Sequence, residues 1–190
     1  ERIQPPAHMT IFNGSPRGNM GNTPIMLQQF GGGFASVPGH TYDIHNLNRI
    51  NDHEGYCRML RNADSIWLGF PLYTDAMPGM VKAFMESMEP LLDRKENPPI
   101  GFLVQSGFPE ALHSRYVERY LEKLASRLKS PYLGTIVKGG GEGVRMMPDE
   151  RNAKLFSALR GLGREMAQNG FLDQEMMKEV AGTERYSLLM

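Results

Sequence analysis

The sequence predicts an α/β fold in which a parallel β-sheet is covered by helices on both faces. Short apolar runs alternate with helix-periodic segments along the chain, and several of the runs are apolar at almost every position. Such runs are expected of parallel strands, because helices bury both of their faces. Strand alternating with helix is typical of a doubly wound sheet with right-handed crossovers.

Five runs are predicted to be strands, at residues 8–12, 41–44, 64–70, 100–105 and 132–137. Helices are predicted over residues 23–30, 53–61, 80–89, 114–128, 150–169 and 174–180. Proline and glycine mark the expected ends of these elements. We expect Pro71 to end the third strand, the glycines at 31–33 to end the first helix, and Gly170 to cap the fifth helix.

Length and composition indicate one domain, residues 1–190, with residues 171–190 as a C-terminal extension. The chain has 21 basic and 21 acidic residues, so no net field favours nucleic acid or an acidic membrane surface. No run approaches the ~20 apolar residues that span a bilayer. The single cysteine, Cys57, fits a reducing compartment, and we expect a cytoplasmic protein. The five histidines lack metal-ligand spacing, so no metal site is expected.

The loop after the first strand is the first candidate site. Residues 13–23 read NGSPRGNMGNT, which places small residues, hydroxyls, amides and Arg17 directly before a helix. A phosphate there would meet unpaired backbone N–H groups at the positive end of the helix. The loop has neither the G-x-G-x-x-G nor the G-x-x-x-x-G-K-[ST] pattern. The alternative is a plain turn with Thr23 as N-cap and Pro24 at the first helical position.

This loop resembles the phosphate loop of the NADPH-dependent FMN reductase family, in which G-S-P-R is followed shortly by N-T. Residues 69–84, GFPLYTDAMPGMVKAF, are similar to the family's proline and tyrosine at a strand end, followed by a loop, a proline and a valine-lysine helix. The resemblance extends to about residue 169. It implies a flavodoxin-like sheet of strand order 2-1-3-4-5, which binds ligands beyond the carboxyl ends of its strands.

The resemblance implies FMN as cofactor and NAD(P)H as co-substrate. The residues expected to hold the FMN phosphate are Ser15, Arg17, Asn22 and Thr23. Those expected at the edge of the ring are Pro71, Leu72, Tyr73, Thr74 and Asp75, with Tyr73 and Met77 as its wall. Gly107 and Phe108, after the fourth strand, are expected to border the other side of the ring.

Two further features leave alternatives open. Residues 138–143, KGGGEG, with Arg145 read either as a second phosphate or nicotinamide loop or as a flexible connection. His113 reads either as a residue that reaches the substrate or as a solvent-facing residue near a helix start.

The resemblance therefore predicts an NAD(P)H oxidoreductase that passes electrons through FMN to a quinone-like or other small acceptor. The flavin carries the chemistry, so no catalytic residue is assigned. We also expect a homodimer, because reductases of this family commonly close the flavin site with a neighbouring subunit. The alternatives are an electron carrier or FMN-binding module without nicotinamide reactivity, and a scaffold protein with the fold but no flavin.

Overall fold

The computed structural model describes residues 5–49 and 53–187, and within helix α2 it leaves out the side chains of His53, Glu54 and Cys57. The strands are β1 (His8–Asn13), β2 (Thr41–Asn46), β3 (Ile66–Leu72), β4 (Ile100–Ser106) and β5 (Tyr132–Lys138). The helices are α1 (Asn22–Ala35), α2 (His53–Asn62), α3 (Gly79–Glu86), α4 (Arg115–Arg127), α5 (Asp149–Asn169) and α6 (Gln174–Ala181).

All five strands are parallel and lie in the order β2-β1-β3-β4-β5, which confirms the predicted strand order. β3 and β4 are buried at every position, as expected of central parallel strands. The carboxyl ends of β1, β3 and β4 therefore meet at one edge of the sheet.

Two apolar cores lie on opposite faces of the sheet. One core packs α2, α3 and α4 against residues such as Phe12 and Phe102, and the other packs α1, α5 and α6 against residues such as Ile11 and Trp67. Phe12 and Ile11 are neighbours in β1 that point to opposite faces, so both faces of the sheet are buried. This is the doubly wound arrangement that the sequence predicts.

The prediction that glycines 31–33 end the first helix is wrong, because α1 continues through them to Ala35. A Cβ at Gly33 would lie 2.0 Å from the Arg160 carbonyl oxygen, and one at Gly163 would lie 2.0 Å from the Phe30 carbonyl oxygen. The backbones of α1 and α5 thus touch at these glycines. Gly33 and Gly163 therefore serve helix packing, whereas Gly170 caps α5 in the left-handed conformation as predicted.

Pro71 does not end β3 but lies within it, in register with Gln105 of β4. The register between β1 and β3 stops at Gly69, whose carbonyl accepts a hydrogen bond from Gly14 N–H. Residues 69 and 71 point their backbone groups to the same side. The missing N–H of Pro71 therefore faces the side where β1 has already ended, and the strand tolerates it.

Candidate functional site

A cavity of about 530 Å³ opens at the carboxyl edge of the sheet, where ligands bind in open α/β folds. Loops that follow β1, β3, β4 and β5 surround it. Its lining consists of Ser15, Arg17, Gly21, Asn22, Pro71, Leu72, Tyr73, Thr74, Gln105, Gly107, Phe108 and Glu142.

The loop after β1 is shaped by the buried side chain of Asn13. Its Oδ1 accepts a hydrogen bond from Ser15 N–H at 3.1 Å, and its Nδ2 donates to the Gly18 carbonyl at 3.2 Å. The same Nδ2 donates to Asn46 Oδ1 of β2 at 2.8 Å. One amide therefore fixes the start and the middle of the loop and ties both to the sheet.

Two glycines allow this loop to lie close to its surroundings. A Cβ at Gly14 would lie 2.4 Å from Val81 Cγ2, and one at Gly21 would lie 2.4 Å from Ser15 Oγ. Such distances are far shorter than a van der Waals contact. A larger residue at either position would therefore force the loop between β1 and α1 to move.

The N-terminus of α1 faces the cavity and has no side-chain cap. Gly21 occupies the N-cap position, and no side chain accepts a hydrogen bond from the first turn. This differs from the plain turn with Thr23 as N-cap. Uncapped N–H groups and the positive helix end are features suited to an anion, and they lie next to buried Ser15 and exposed Arg17.

The side chain of Asn22 joins the first loop to the loop after β5. Its Nδ2 donates to the Glu142 carbonyl at 2.7 Å, and its Oδ1 accepts from Arg145 N–H at 2.9 Å. Arg145 also donates from Nη1 to the Asn19 carbonyl at 3.4 Å. Both polar atoms of the Asn22 side chain are therefore used in hydrogen bonds that hold the two loops together at the cavity wall.

One side of the cavity is formed by the end of β3 and a tight turn. Tyr73 N–H donates to the Ala76 carbonyl at 3.0 Å, and Ala76 N–H donates back to Tyr73 at 3.3 Å. Thr74, in this turn, has φ of 56°, a left-handed conformation that costs a β-branched residue free energy. The turn presents the ring of Tyr73, 48% exposed, to the cavity.

A further part of the cavity wall is formed by Gly107 and Phe108 after β4. The Phe108 carbonyl accepts a hydrogen bond from Gly140 N–H at 2.6 Å. The Phe108 ring stacks on His113, with centroids 4.5 Å apart and planes 26° apart, and it remains 41% exposed. His113 therefore supports an aromatic residue of the cavity instead of standing free in solvent.

Gln105 and Glu142 line the cavity but were not among the predicted site residues. Gln105 Oε1 is buried without a hydrogen-bond donor, while its Nε2 makes only a long contact of 3.5 Å with Thr23 Oγ1. Glu142 reaches across to the loop after β4, since a Cβ at Gly107 would lie 2.9 Å from Glu142 Oε2. In the sequence Gln105 looks like an ordinary strand residue. For Glu142 the surrounding glycines indicated a possible binding loop, but not this residue itself.

Three predicted site residues lie outside the cavity lining. Thr23 is fully buried beneath the loop, in contact with Gln105. Asp75 is exposed at the turn, with Oδ1 4.0 Å from Nδ1 of His113. Met77 is partly buried and packs against the core on the α3 side of the sheet.

The glycine run after β5 is tied to its neighbours by backbone hydrogen bonds. Gly139 N–H donates to the Ala181 carbonyl at 3.2 Å, and Gly140 N–H donates to Phe108. Gly140 has φ of 65°, which favours glycine. Two of its N–H groups are therefore used within the protein, which favours the reading as a connection that carries Glu142 to the cavity.

Among the side chains that the structure describes, no group of three or more His, Cys, Asp or Glu has an arrangement that could hold a metal ion. None of the helices in the described part of the chain has both the length and the apolar character needed to cross a membrane.

Several solved structures share this architecture. The FMN-dependent NADH-azoreductase of Bacillus anthracis, solved with FMN, has a TM-score of 0.62 and 12% identity, over 85% of this chain and 99% of that one. The NADPH-quinone reductase of P. pentosaceus has a TM-score of 0.59 and 19% identity, over 85% and 98% of the two chains. The NAD(P)H:quinone oxidoreductase of Methanothermobacter marburgensis has a TM-score of 0.61 and 15% identity, over 84% and 96%.

No protein-family model and no curated protein matches this sequence. The identities to the solved structures are low, so the similarity concerns the path of the backbone. Together with the strand order, it shows that the chain has the flavodoxin-like fold.

Proposed function

We propose that this protein is an FMN-dependent NAD(P)H oxidoreductase that reduces a quinone-like or other small acceptor. The observation that carries the proposal is a single cavity that joins an uncapped helix N-terminus to an aromatic wall. Its volume of about 530 Å³ lies within the ~300–1,000 Å³ of small-molecule sites. FMN combines a phosphate, a polar chain and a flat aromatic ring, which are the features that such a cavity accommodates.

The phosphate end of the cavity supplies the donors that a phosphomonoester needs. The first N–H groups of α1, the hydroxyl of Ser15 and the guanidinium of Arg17 lie around one end of the cavity. Backbone N–H groups at a helix start already point toward a bound phosphate, and arginine adds a charge-assisted hydrogen bond. Among the described residues that line the cavity, Arg17 is the only cation.

The other end of the cavity suits an isoalloxazine ring. Leu72, Tyr73 and Phe108 give it an apolar and aromatic surface. Gln105 Oε1 is a buried acceptor without a donor, and the imide N–H and ribityl hydroxyls of FMN are donors of the kind it lacks. The residues present therefore fit FMN at both ends.

Bound FMN would supply the two-electron chemistry, taking hydride from NAD(P)H and delivering electrons to the acceptor. The chain would bind the phosphate, orient the ring and keep one face of the ring open between Tyr73 and Phe108. No acid or base is required of the protein, and we assign no catalytic residue. The flavin and quinone oxidoreductase names of the structural neighbours, together with the motif resemblance, support this proposal.

We further propose a cytoplasmic homodimer whose subunits meet near the cavity. Large apolar side chains are exposed on or next to the loops that line it, including Met20, Tyr73, Phe108 and Met146. Exposed apolar patches are typical of interaction surfaces. Light scattering of the purified protein tests the dimer, and a mass of about 21.4 kDa would reject it.

The experiment that tests the flavin proposal is a fluorescence titration of FMN with the purified protein, with riboflavin as control. We expect FMN to bind more tightly, because riboflavin has no phosphate. Anaerobic mixing of the FMN-loaded protein with NADH or NADPH should then bleach the visible flavin bands. If FMN binds but neither nucleotide reduces it, the protein is an electron carrier. If FMN fluorescence does not change at micromolar protein, the flavin proposal fails.

A further inference from the structure

The segment that follows α6 lies against the loop that forms one wall of the cavity. We call residues 181–186, which begin at the last residue of α6, the C-terminal strap. Two consecutive N–H groups of the short 3-10 helix Ala111–Ser114 donate to it, Ala111 to the Thr183 carbonyl at 2.9 Å and Leu112 to the Glu184 carbonyl at 3.1 Å. The strap thus gives the free N–H groups at the start of this helix their acceptors.

Side chains reinforce the backbone contacts. Arg115, at the start of α4, donates from Nε to Glu184 Oε1 at 3.0 Å and from Nη2 to Oε2 at 2.7 Å. This two-point geometry fixes orientation as well as distance. The hydrogen bond from Arg115 lowers the pKa of Glu184 below its ordinary value. A third contact joins Tyr186 N–H to Glu110 Oε1 at 2.6 Å.

The residues that the strap holds come directly after the cavity wall. Gly107 and Phe108 are exposed, and the chain enters them from buried Ser106 at the end of β4. The chain leaves the wall through Glu110 and buried Ala111, both of which contact the strap. The wall is therefore a short segment that the sheet fixes at one end and the strap fixes at the other.

A second route runs from the strap to the wall through the loop after β5. The Ala181 carbonyl, at the start of the strap, accepts from Gly139 N–H, and Gly140 N–H donates to the Phe108 carbonyl. The strap thus contacts the residues that follow the wall, and through Gly139 and Gly140 it also holds the main chain of Phe108. It therefore holds the part of the cavity wall that Gly107 and Phe108 form.

We propose that the C-terminal strap positions the Gly107–Phe108 wall for ligand binding and that Glu184 is a positioning residue of the site. For its ligand the inference rests on the proposed flavin function. Loosening the strap should weaken contacts with the ring and leave the phosphate loop intact. FMN and riboflavin should then lose affinity by the same factor, whereas a defect in the phosphate loop affects FMN alone.

The test compares Glu184→Ala with the matched control Glu179→Ala. Glu179, on α6, pairs with Lys154 at 3.4 Å and does not line the cavity. We expect Glu184→Ala to weaken FMN and riboflavin equally, by about two- to fivefold, since the pair with Arg115 is half-exposed. Hydrogen exchange at the Ala111 and Leu112 amides should accelerate by a similar factor. The control should change neither quantity.

A chain that ends at Gly182 gives a larger effect in the same direction, because it removes both backbone acceptors of the strap. If this chain folds and exchanges its Ala111 and Leu112 amides at the original rate, the proposal is overturned. Selective weakening of FMN in Glu184→Ala would also overturn it. Hydrogen exchange needs no flavin. If the unmodified protein binds neither FMN nor riboflavin, the flavin proposal fails, while exchange still decides whether the strap holds the wall.

Discussion

The two sides of the cavity are built in different ways. The phosphate-loop side is set by neighbours in sequence and by the sheet beneath it, with Asn13 bonded to Ser15 and Gly18 and with glycines packed against Ser15 and Val81. The aromatic side carries exposed Phe108, which is held by residues far along the chain. The first side is largely buried, and hydrogen bonds between residues close in sequence set its shape. The second side depends on distant segments that close around it.

Substitution of Gly14 and of Gly107 by alanine should reveal the largest difference in stability between the two sides. The Cβ of Gly14→Ala would meet Val81 Cγ2 at 2.4 Å and Phe70 Cβ at 3.0 Å, both in the packed interior. The Cβ of Gly107→Ala would meet only the side chain of Glu142, whose carboxylate oxygen would be 2.9 Å away and can turn aside. We expect Gly14→Ala to cost about 1–3 kcal/mol of unfolding free energy and to abolish FMN binding.

Gly107→Ala should keep its stability within about 0.5 kcal/mol of the unmodified protein. Urea denaturation of both variants, followed by FMN titration, measures the contrast. Equal destabilisation by the two substitutions would show that the aromatic side is as tightly packed as the phosphate loop.

Arg17→Ala should affect only the phosphate end. A charge-assisted hydrogen bond contributes about 1.5–3 kcal/mol, so FMN affinity should fall by about ten- to a hundredfold. The exposure of Arg17 places the expected value nearer tenfold. Riboflavin affinity should stay the same. Titrations of both ligands measure this, and an equal loss for the two would assign Arg17 to the ring or to folding.

Tyr73→Ala should affect only the ring end. Tyr73 is 48% exposed, so its loss should leave the free energy of unfolding almost unchanged. An aromatic pair contributes about 0.5–1.5 kcal/mol, which corresponds to about two- to twelvefold weaker binding of FMN and riboflavin alike. Tyr116→Ala is the matched control, because Tyr116 is 71% exposed and does not line the cavity. A loss confined to FMN would contradict a role at the ring.

The contrast also explains what could be predicted from the sequence. The positions of the strands followed from short runs along the chain, which are clearest for the buried parallel strands β3 and β4, whereas the strand order followed from the family resemblance. The phosphate loop could also be read as one continuous stretch. The glycine run at 31–33 was misread because the partner of Gly33, in α5, lies about 130 residues further along the chain. Gln105, Glu142 and the strap were missed because tertiary contacts alone bring them to the cavity.

The smallest expected effect is a pH dependence of the strap. In the folded protein Arg115 lowers the pKa of Glu184, whose ordinary value is 4.5, and Glu118 also bonds to Arg115 at 2.9 Å. A carboxyl whose pKa is lowered by folding stabilises the fold above its unfolded pKa, and this contribution is lost as pH falls through the folded pKa.

The unmodified protein should therefore exceed Glu184→Ala in stability at pH 7, by at most about 1 kcal/mol because the pair is half-exposed. The difference should shrink as pH falls below about 4.5. Urea unfolding of both proteins between neutral and acidic pH measures it, and a difference that stays constant with pH would mean that the charge of the Glu184 carboxylate does not stabilise the strap.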